Sequence, residues 1–495
     1  MKYFILTILT IASVICFGQN ITFCPSEFTT KDDSLKKYIS DKYYESKDEY
    51  NNHFTSEEKQ ILKTTLYNRK LKTLSMLESG NFILKGPLFD LVNEIYLEIS
   101  NKNPSLKEKK IILLKDETAN AFTMGEDIIY IHLGLLYRLQ NKDQLAFILC
   151  HELAHDQLNH FHENLNDYIQ EKTDKDLERK IKEIMELKYG HVTNLNTLLV
   201  PTLLFKKQKS RINEFEADSL GMTFFKNCKY NSEKACTSFD VFLNADHLRD
   251  TSIIDLHKYL NYSTKTINSK RINYQKDESS LGDFTEDISE EDLETKEELN
   301  DLLRSHPYEV DRSIKMYRFF NIPIPETFDS TIDTNFKIYR YLAEGEMINY
   351  ALQSQQIGKA LFYSLNMQKN YPNDTYSKLT TSLCMLSLYY YKVNFKEGLV
   401  IENQDLENDI AYDKLIYFLK ELTPEESFTI GNDLFNSLTI DKKTNESKLI
   451  QLLIYYKSNN NTSFKDIYQQ NKEEFKKCSH WNFINKMFLE VNKRL

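Results

Sequence analysis

The pentapeptide His151-Glu152-Leu153-Ala154-His155 places residues with metal-binding and proton-transfer chemistry at a spacing that lets them work together. On a helix, positions i and i+4 project from one face about one turn apart. Two imidazoles so placed can hold one zinc ion. Glu152 follows the first histidine and can reach a water at that ion, where a carboxylate serves as general base. The stretch around them, Gln144 to His160, is apolar over most of a helix circumference. Two histidines and a glutamate are costly there unless satisfied. The plain alternative is a buried polar cluster without a metal.

A tetrahedral catalytic zinc needs a third protein ligand and an open position. An H-E-x-x-H-x-x-G-x-x-H arrangement would put glycine at 158 and histidine at 161. The chain has Leu158 and Phe161, and His160, one position out of register, reads as a helix-end residue near backbone carbonyls. A glutamate from a second helix is the other solution. In the run Asn213 to Asp218, Glu214 and Asp218 lie one turn apart on one face. Glu214 can take the metal while Asp218 accepts the outer N–H of a ligand histidine. Glu216 falls on a different face and reads as solvated or salt-bridged.

These motifs resemble the gluzincin metallopeptidases, the family of the CAAX prenyl endopeptidase and the periplasmic β-barrel-assembly-enhancing protease. The similarity rests on HELAH followed by Ser210 to Met222, and spans roughly residues 85–320. Upstream, Asn120-Ala121-Phe122 with Gly125, then Gly134-Leu135-Leu136, match the family's strand and helix before the metal helix. Downstream, Ser305-His306-Pro307 with Arg312 matches its late motif. The resemblance implies one Zn²⁺, endopeptidase activity, His151, His155 and Glu214 as ligands, and Glu152 as catalytic base. His306 is the candidate for an additional donor to the oxyanion. It could instead fill the fourth zinc position as a latch, or simply cap a helix. Arg312 either braces this segment through a carboxylate or makes a surface salt bridge. The Asn120–Phe122 strand could pair with an extended substrate, or be an edge strand without that role.

The elements that must position these residues are mostly helical. Ser34 to Tyr50, Ser56 to Leu77 and Leu88 to Ile99 alternate apolar and charged residues at helical spacing. Ile111 to Leu114 and Asp127 to His132 are short, β-branched and read as strands. The metal helix, Gln144 to His160, should be central. Glu163 to Lys188 reads as one long solvated helix, and Lys207 to Phe225 as the second metal helix. Residues 277–301 form an acidic surface loop, and two prolines at 323 and 325 mark a boundary. Beyond it, Tyr- and Phe-rich helices follow, with one degenerate, tetratricopeptide-like helix–turn–helix at 343–374.

Met1 to Asn20 has the pattern of an export signal: Lys2, a short apolar run, and Cys16 and Gly18 before a cut ahead of Gln19. Export would leave six cysteines in an oxidising space. Cys228 and Cys236 either form a local disulfide or stay as two half-buried thiols, and Cys150 reads as a core thiol. Across 495 residues, 41 % are hydrophobic, 27 % charged, and Gly (12) and Pro (9) are scarce, which excludes collagen-like and polytopic membrane classes. A net charge of −10 gives no electrostatic reason to expect nucleic acid.

The expected fold is mainly α (α+β). It comprises a signal peptide (1–18), an N-terminal helical region (19–84), and a helical zinc-metallopeptidase domain with a small β-sheet (85–322). A C-terminal helical, tetratricopeptide-like domain (327–495) follows. The expected activity is an exported, periplasmic zinc endopeptidase acting on unfolded or misassembled proteins in envelope quality control. The C-terminal domain is the candidate for contact with a membrane surface or an envelope complex. The competing reading is a chaperone-like client binder with a latched metal site. A lipid-processing metalloenzyme is a weaker third.

Overall fold

The computed structural model describes residues 23–26, 32–50, 54–123, 127–185, 191–243, 255–261, 309–325, 331–401, 410–439, 444–458, 461–476 and 478–492. The chain is mainly helical, with one small mixed sheet, and divides into two units. The first holds the described residues between 32 and 243 and between 309 and 339. The second holds 23–26, 255–261 and the described residues from 340 onward. No helix among the described residues is long and apolar enough to cross a membrane. The export signal, Gly125, the acidic loop at 277–301 and Ser305-His306-Pro307 lie outside the described residues.

The first unit opens with two helices, α1 (Asp33–Tyr50) and α2 (Ser56–Glu78). Thr55 and Glu58 close a reciprocal capping box at the start of α2, which satisfies two of the donors a helix N-terminus leaves open. Strand β1 (Phe82–Ile83) and helix α3 (Pro87–Lys102) follow. Then come strands β2 (Lys110–Leu114), β3 (Ala121–Thr123) and β4 (Ile128–His132). The sheet order is β1-β2-β4-β3, with β2 and β4 parallel at the centre and both outer strands antiparallel to their neighbours. Ile111 to Leu114 and Ile128 to Ile131 are buried throughout, as continuous apolar runs in a covered sheet should be. A strand at 121–123 fits the sequence expectation. The two-residue β1 is too short to carry a periodic signal.

After the short helix α4 (Leu133–Arg138) comes α5 (Lys142–Gln157), the helix with H-E-x-x-H. Asn141 caps its N-terminus by accepting from the Gln144 N–H at 2.9 Å. Leu145, Phe147, Leu149, Leu153 and Ala154 are all buried, so the helix is covered on every side. It ends earlier than the sequence suggested. Asn159 takes a left-handed conformation (φ 57°), which asparagine tolerates, and the chain reverses into α6 (His160–Thr173).

The single solvated helix expected over 163–188 is broken at Asp174, giving α6 and α7 (Lys175–Met185). Asp174 accepts from the N–H groups of Asp176 and Leu177, so its carboxylate starts a new helix. The second metal helix, α8, is longer than expected and runs from His191 to Lys226. Its backbone stays helical through Pro201. Two short helices, α9 (Ser232–Cys236) and α10 (Ser238–Leu243), and then α11 (Glu309–Phe320) complete the unit around α5 and α8.

The second unit is wholly helical among its described residues. Its first long helices, α12 (Lys337–Gln353) and α13 (Ile357–Asn370), form the helix pair expected near 343–374. Pro372 sits in the turn before α14 (Thr375–Val393). Helices α15 (Ile410–Glu421), α16 (Pro424–Ser437), α17 (Asn445–Lys457), α18 (Asn461–Phe475) and α19 (Ser479–Asn492) follow. The central member is α14, which packs on α13, α16, α17 and α19. Two of its buried hydroxyls bond locally or across helices: Thr381 donates to the Ser377 carbonyl at 2.9 Å and Ser382 to that of Gly431 at 2.7 Å. Phe23 is buried in this unit, edge-on to Tyr376 at 4.9 Å and lying against Gly345. A methyl group on Gly345 would come within 2.4 Å of the Phe23 ring, so the seat exists only with glycine there.

Candidate metal centre

The two metal helices cross closely. At the crossing, a Cβ on Gly221 of α8 would sit 3.1 Å from the His151 Cα and backbone nitrogen. The close approach brings Glu214, two turns earlier on α8, against the histidines of α5.

Nε2 of His151 and Nε2 of His155 are 3.0 Å apart. Glu214 places one oxygen 3.4 Å from the first and the other 3.5 Å from the second. Bonds of about 2.0–2.2 Å at tetrahedral angles put neighbouring ligand atoms about 3.3–3.6 Å apart. The three donors therefore stand close to three corners of a tetrahedron around one ion, and the chemistry of the set, two imidazoles and a carboxylate, suits zinc.

The outer atoms of each ligand are held. Nδ1 of His151 lies 2.9 Å from Asp218 Oδ1. Arg312, from α11, grips Asp218 with two bonds of 2.8 Å and reaches Glu214 Oε2 at 3.1 Å. Of the two sequence readings of Arg312, the brace through a carboxylate is the one observed. Nδ1 of His155 is 2.9 Å from Nδ1 of His160, whose Nε2 is 3.3 Å from Glu216 Oε2. One proton assignment satisfies the chain: His155 Nδ1–H donates to His160, and His160 Nε2–H donates to Glu216. It leaves Nε2 of His155 free for a metal.

Glu216, expected to be solvated or salt-bridged, is exposed and pairs with His160, whereas His160 is not the plain helix-end group near carbonyls that its position suggests. The reversal at Asn159 carries His160 back over His155 and sets α6 against Glu216. His160→Ala is expected to weaken metal binding about 10–100-fold, measured by competition with a chromophoric chelator. An unchanged affinity would mean the relay holds nothing.

The electrostatics favour a cation at the same place. Burial opposes a charge on His151, but Asp218 and Glu214 outweigh it and raise its pKa to about 10. The same pull on positive charge favours a divalent ion. Burial lowers the pKa of His155, which keeps it neutral and ready to ligate. Asp218 is held ionised below its usual value: burial opposes this, and Arg312 and His151 overcome it.

Glu152 is buried beside this group and is not one of the three donors. Burial pushes its pKa up to about 7; His151 opposes, Glu214 adds, and Arg312 and a hydrogen bond from the Thr123 backbone oppose. That contact sets the carboxylate against β3, the outermost strand of the sheet. The predicted strand residues lie just before it. Asn120 accepts from the His132 N–H at 3.0 Å, Ala121 pairs with Ile131, and Phe122 stacks on Tyr130 at 5.0 Å.

The structure thus brings His151, Glu152, His155, Glu214 and Asp218 into one cluster with Asn120–Phe122 leading to its edge, while His306 lies outside the described residues. Residues 90–316 match peptidase family M48. Over that stretch the chain is similar to the M48 metallopeptidases. The match begins in α3 and ends in α11, so it takes in strands β2 to β4, both metal helices and Arg312. It is the gluzincin type that the motifs resemble. No curated protein matches the chain.

Proposed function

We propose that this chain is an exported zinc endopeptidase that cleaves unfolded or misassembled envelope proteins. The observation that carries the reading is the near-tetrahedral spacing of the His151, His155 and Glu214 donors with a buried carboxylate, Glu152, beside them. When bound there, zinc supplies Lewis acidity toward a water and a peptide carbonyl. Glu152 takes the proton from the attacking water and returns it to the leaving amine nitrogen. An extended substrate adds to the sheet beyond β3, and its backbone is led past Glu152 because Thr123 already touches that carboxylate. Recognition through backbone bonds asks little of side chains, which suits misfolded clients. His306 is proposed as a donor to the developing oxyanion or as a removable latch. The export signal supports a periplasmic setting, and the second unit is proposed to meet clients, a membrane surface or an envelope complex.

The test is direct. The purified mature chain should hold about one zinc per molecule and cleave an unfolded protein internally. A chelator should abolish cleavage, and zinc should restore it. Client binding without metal-dependent cleavage would favour the chaperone-like alternative.

The pH dependence has a defined sign. Glu152 accepts a proton only as the carboxylate, so kcat/KM should fall about tenfold per pH unit below its pKa. That pKa is pushed up to about 7 by burial, and a nearby dication draws it lower, so the acid limb should lie at or below about 7. A rate that rises as pH falls through this range would remove Glu152 from the base role.

A further inference from the structure

Residues 23–26 form no helix or strand and lie on α12 and α14 of the second unit. Two contacts anchor them. The buried Phe23 ring stands edge-on to Tyr376 at 4.9 Å and to Tyr341 at 6.4 Å, over the bare backbone of Gly345. Three residues on, the Ser26 N–H donates to a carboxyl oxygen of Glu346. Between the anchors, Cys24 is exposed and Pro25 half-buried. The walls of this pocket are fixed by bonds among themselves. Tyr341 donates to Asp374 Oδ1 at 2.6 Å, and Asp374 caps α14 by accepting from the Ser377 N–H at 2.6 Å. Tyr371 packs edge-on against Tyr341 at 4.9 Å, and Tyr376 stacks on His480 of α19 at 5.1 Å. The Asn349 amide donates to the other oxygen of Glu346 at 3.4 Å. Glu346 is only 1 % exposed. A cavity that merely needed filling would be lined by apolar groups, because a buried carboxyl group is costly without a partner. Here that group meets a main-chain N–H, which every non-proline residue carries. The aromatic walls and glycine floor suit a flat ring.

We propose that this pocket is a binding site for peptide segments and that Phe23–Ser26 occupies it in cis. It takes an aromatic side chain against Tyr341 and Tyr376 over Gly345, and the N–H three residues later on Glu346. The proposal rests on the reading of the second unit as the part that meets unfolded clients, and on nothing at the metal centre. Folded proteins bury most of their aromatic rings and unfolded ones expose them, so the pocket distinguishes the two. Release of residues 23–26 unmakes no helix or strand. A tethered occupant outcompetes a free one of equal affinity, so the cis segment sets a threshold that weak ligands do not pass.

The probe is a fluorescein-labelled synthetic peptide of residues 21–27 with Cys24→Ser, titrated into the full mature chain and followed by fluorescence anisotropy. Every chain carries Glu152→Gln so that the probe stays intact. Phe23→Ala vacates the pocket and should bind the probe about tenfold or more tighter than the chain that keeps Phe23. A probe with Phe23→Ala should not bind. Adding Gly345→Ala to the Phe23→Ala chain should abolish binding, because the new methyl takes the place of the ring. Alanine suits a helix better than glycine, so this chain should fold, as circular dichroism would verify. Equal binding with and without Phe23, binding to the doubly substituted chain, or no binding to a folded Phe23→Ala chain would each overturn the site. An unfolded protein added as competitor should displace the probe. Its binding without displacement would overturn the use of the pocket for clients and leave the peptide site standing. Neither zinc content nor cleavage is read, so a failure here is distinct from a failure of the peptidase reading.

Discussion

Glu152→Gln is expected to keep the metal and lose cleavage, with kcat lower by about a thousandfold or more. The variant is nearly isosteric. Its amide oxygen can still accept from the Thr123 N–H, and the three donors around the ion are untouched. Only the proton-accepting capacity goes, in a site where burial has brought the carboxylic acid to about 7. Metal analysis and turnover of an unfolded substrate, measured on the same preparation, separate the two effects. The acid limb of the pH profile should vanish with the activity. Cleavage within tenfold of wild type would show that another group moves the proton.

Arg312→Ala should have the largest effect on stability. The guanidinium is buried against two carboxylates, with its face 4.7 Å from the centre of the Phe239 ring. Its removal leaves Asp218 and Glu214 as neighbouring buried anions, and breaking a buried pair in this way costs about 3–5 kcal/mol. The loss should be greatest in chelator-treated protein and smaller with metal, because a dication compensates Glu214. The pH sign follows from Asp218. Its folded pKa is depressed in the wild type, so its contribution is present above the unfolded pKa and fades as pH falls through the folded one. Without Arg312 the depression shrinks. The gap between variant and wild type should therefore narrow on acidification. Arg312→Lys keeps the charge without the planar fork and should recover only part of the loss. Denaturant melts with and without zinc would check all three. A shift under 1 kcal/mol in the chelated protein would show that the carboxylates find other partners.

The centre of the site was legible because it rests on one regular geometry. His151 with His155, and Glu214 with Asp218, follow from a helix's i, i+4 repeat and needed no knowledge of the chain between. The burial of α5 was legible for the same reason. What escaped depends on breaks in regularity. His160 reaches His155 only because Asn159 adopts a left-handed turn. The interruption at Asp174 departs from the simple periodic reading. For Cys228 and Cys236 the spacing left a bridge or two thiols open, and both are free thiols, Cys236 buried and Cys228 half-buried.

The seating of Phe23 on Gly345 has a consequence for biosynthesis. The Ser26 N–H donates to Glu346, across a sequence separation of 320 residues. A ribosome working from the N-terminus makes the plug long before the socket. This bond must therefore wait until α12 to α14 have emerged, and the unit they share closes late, after the peptidase body has had time to fold.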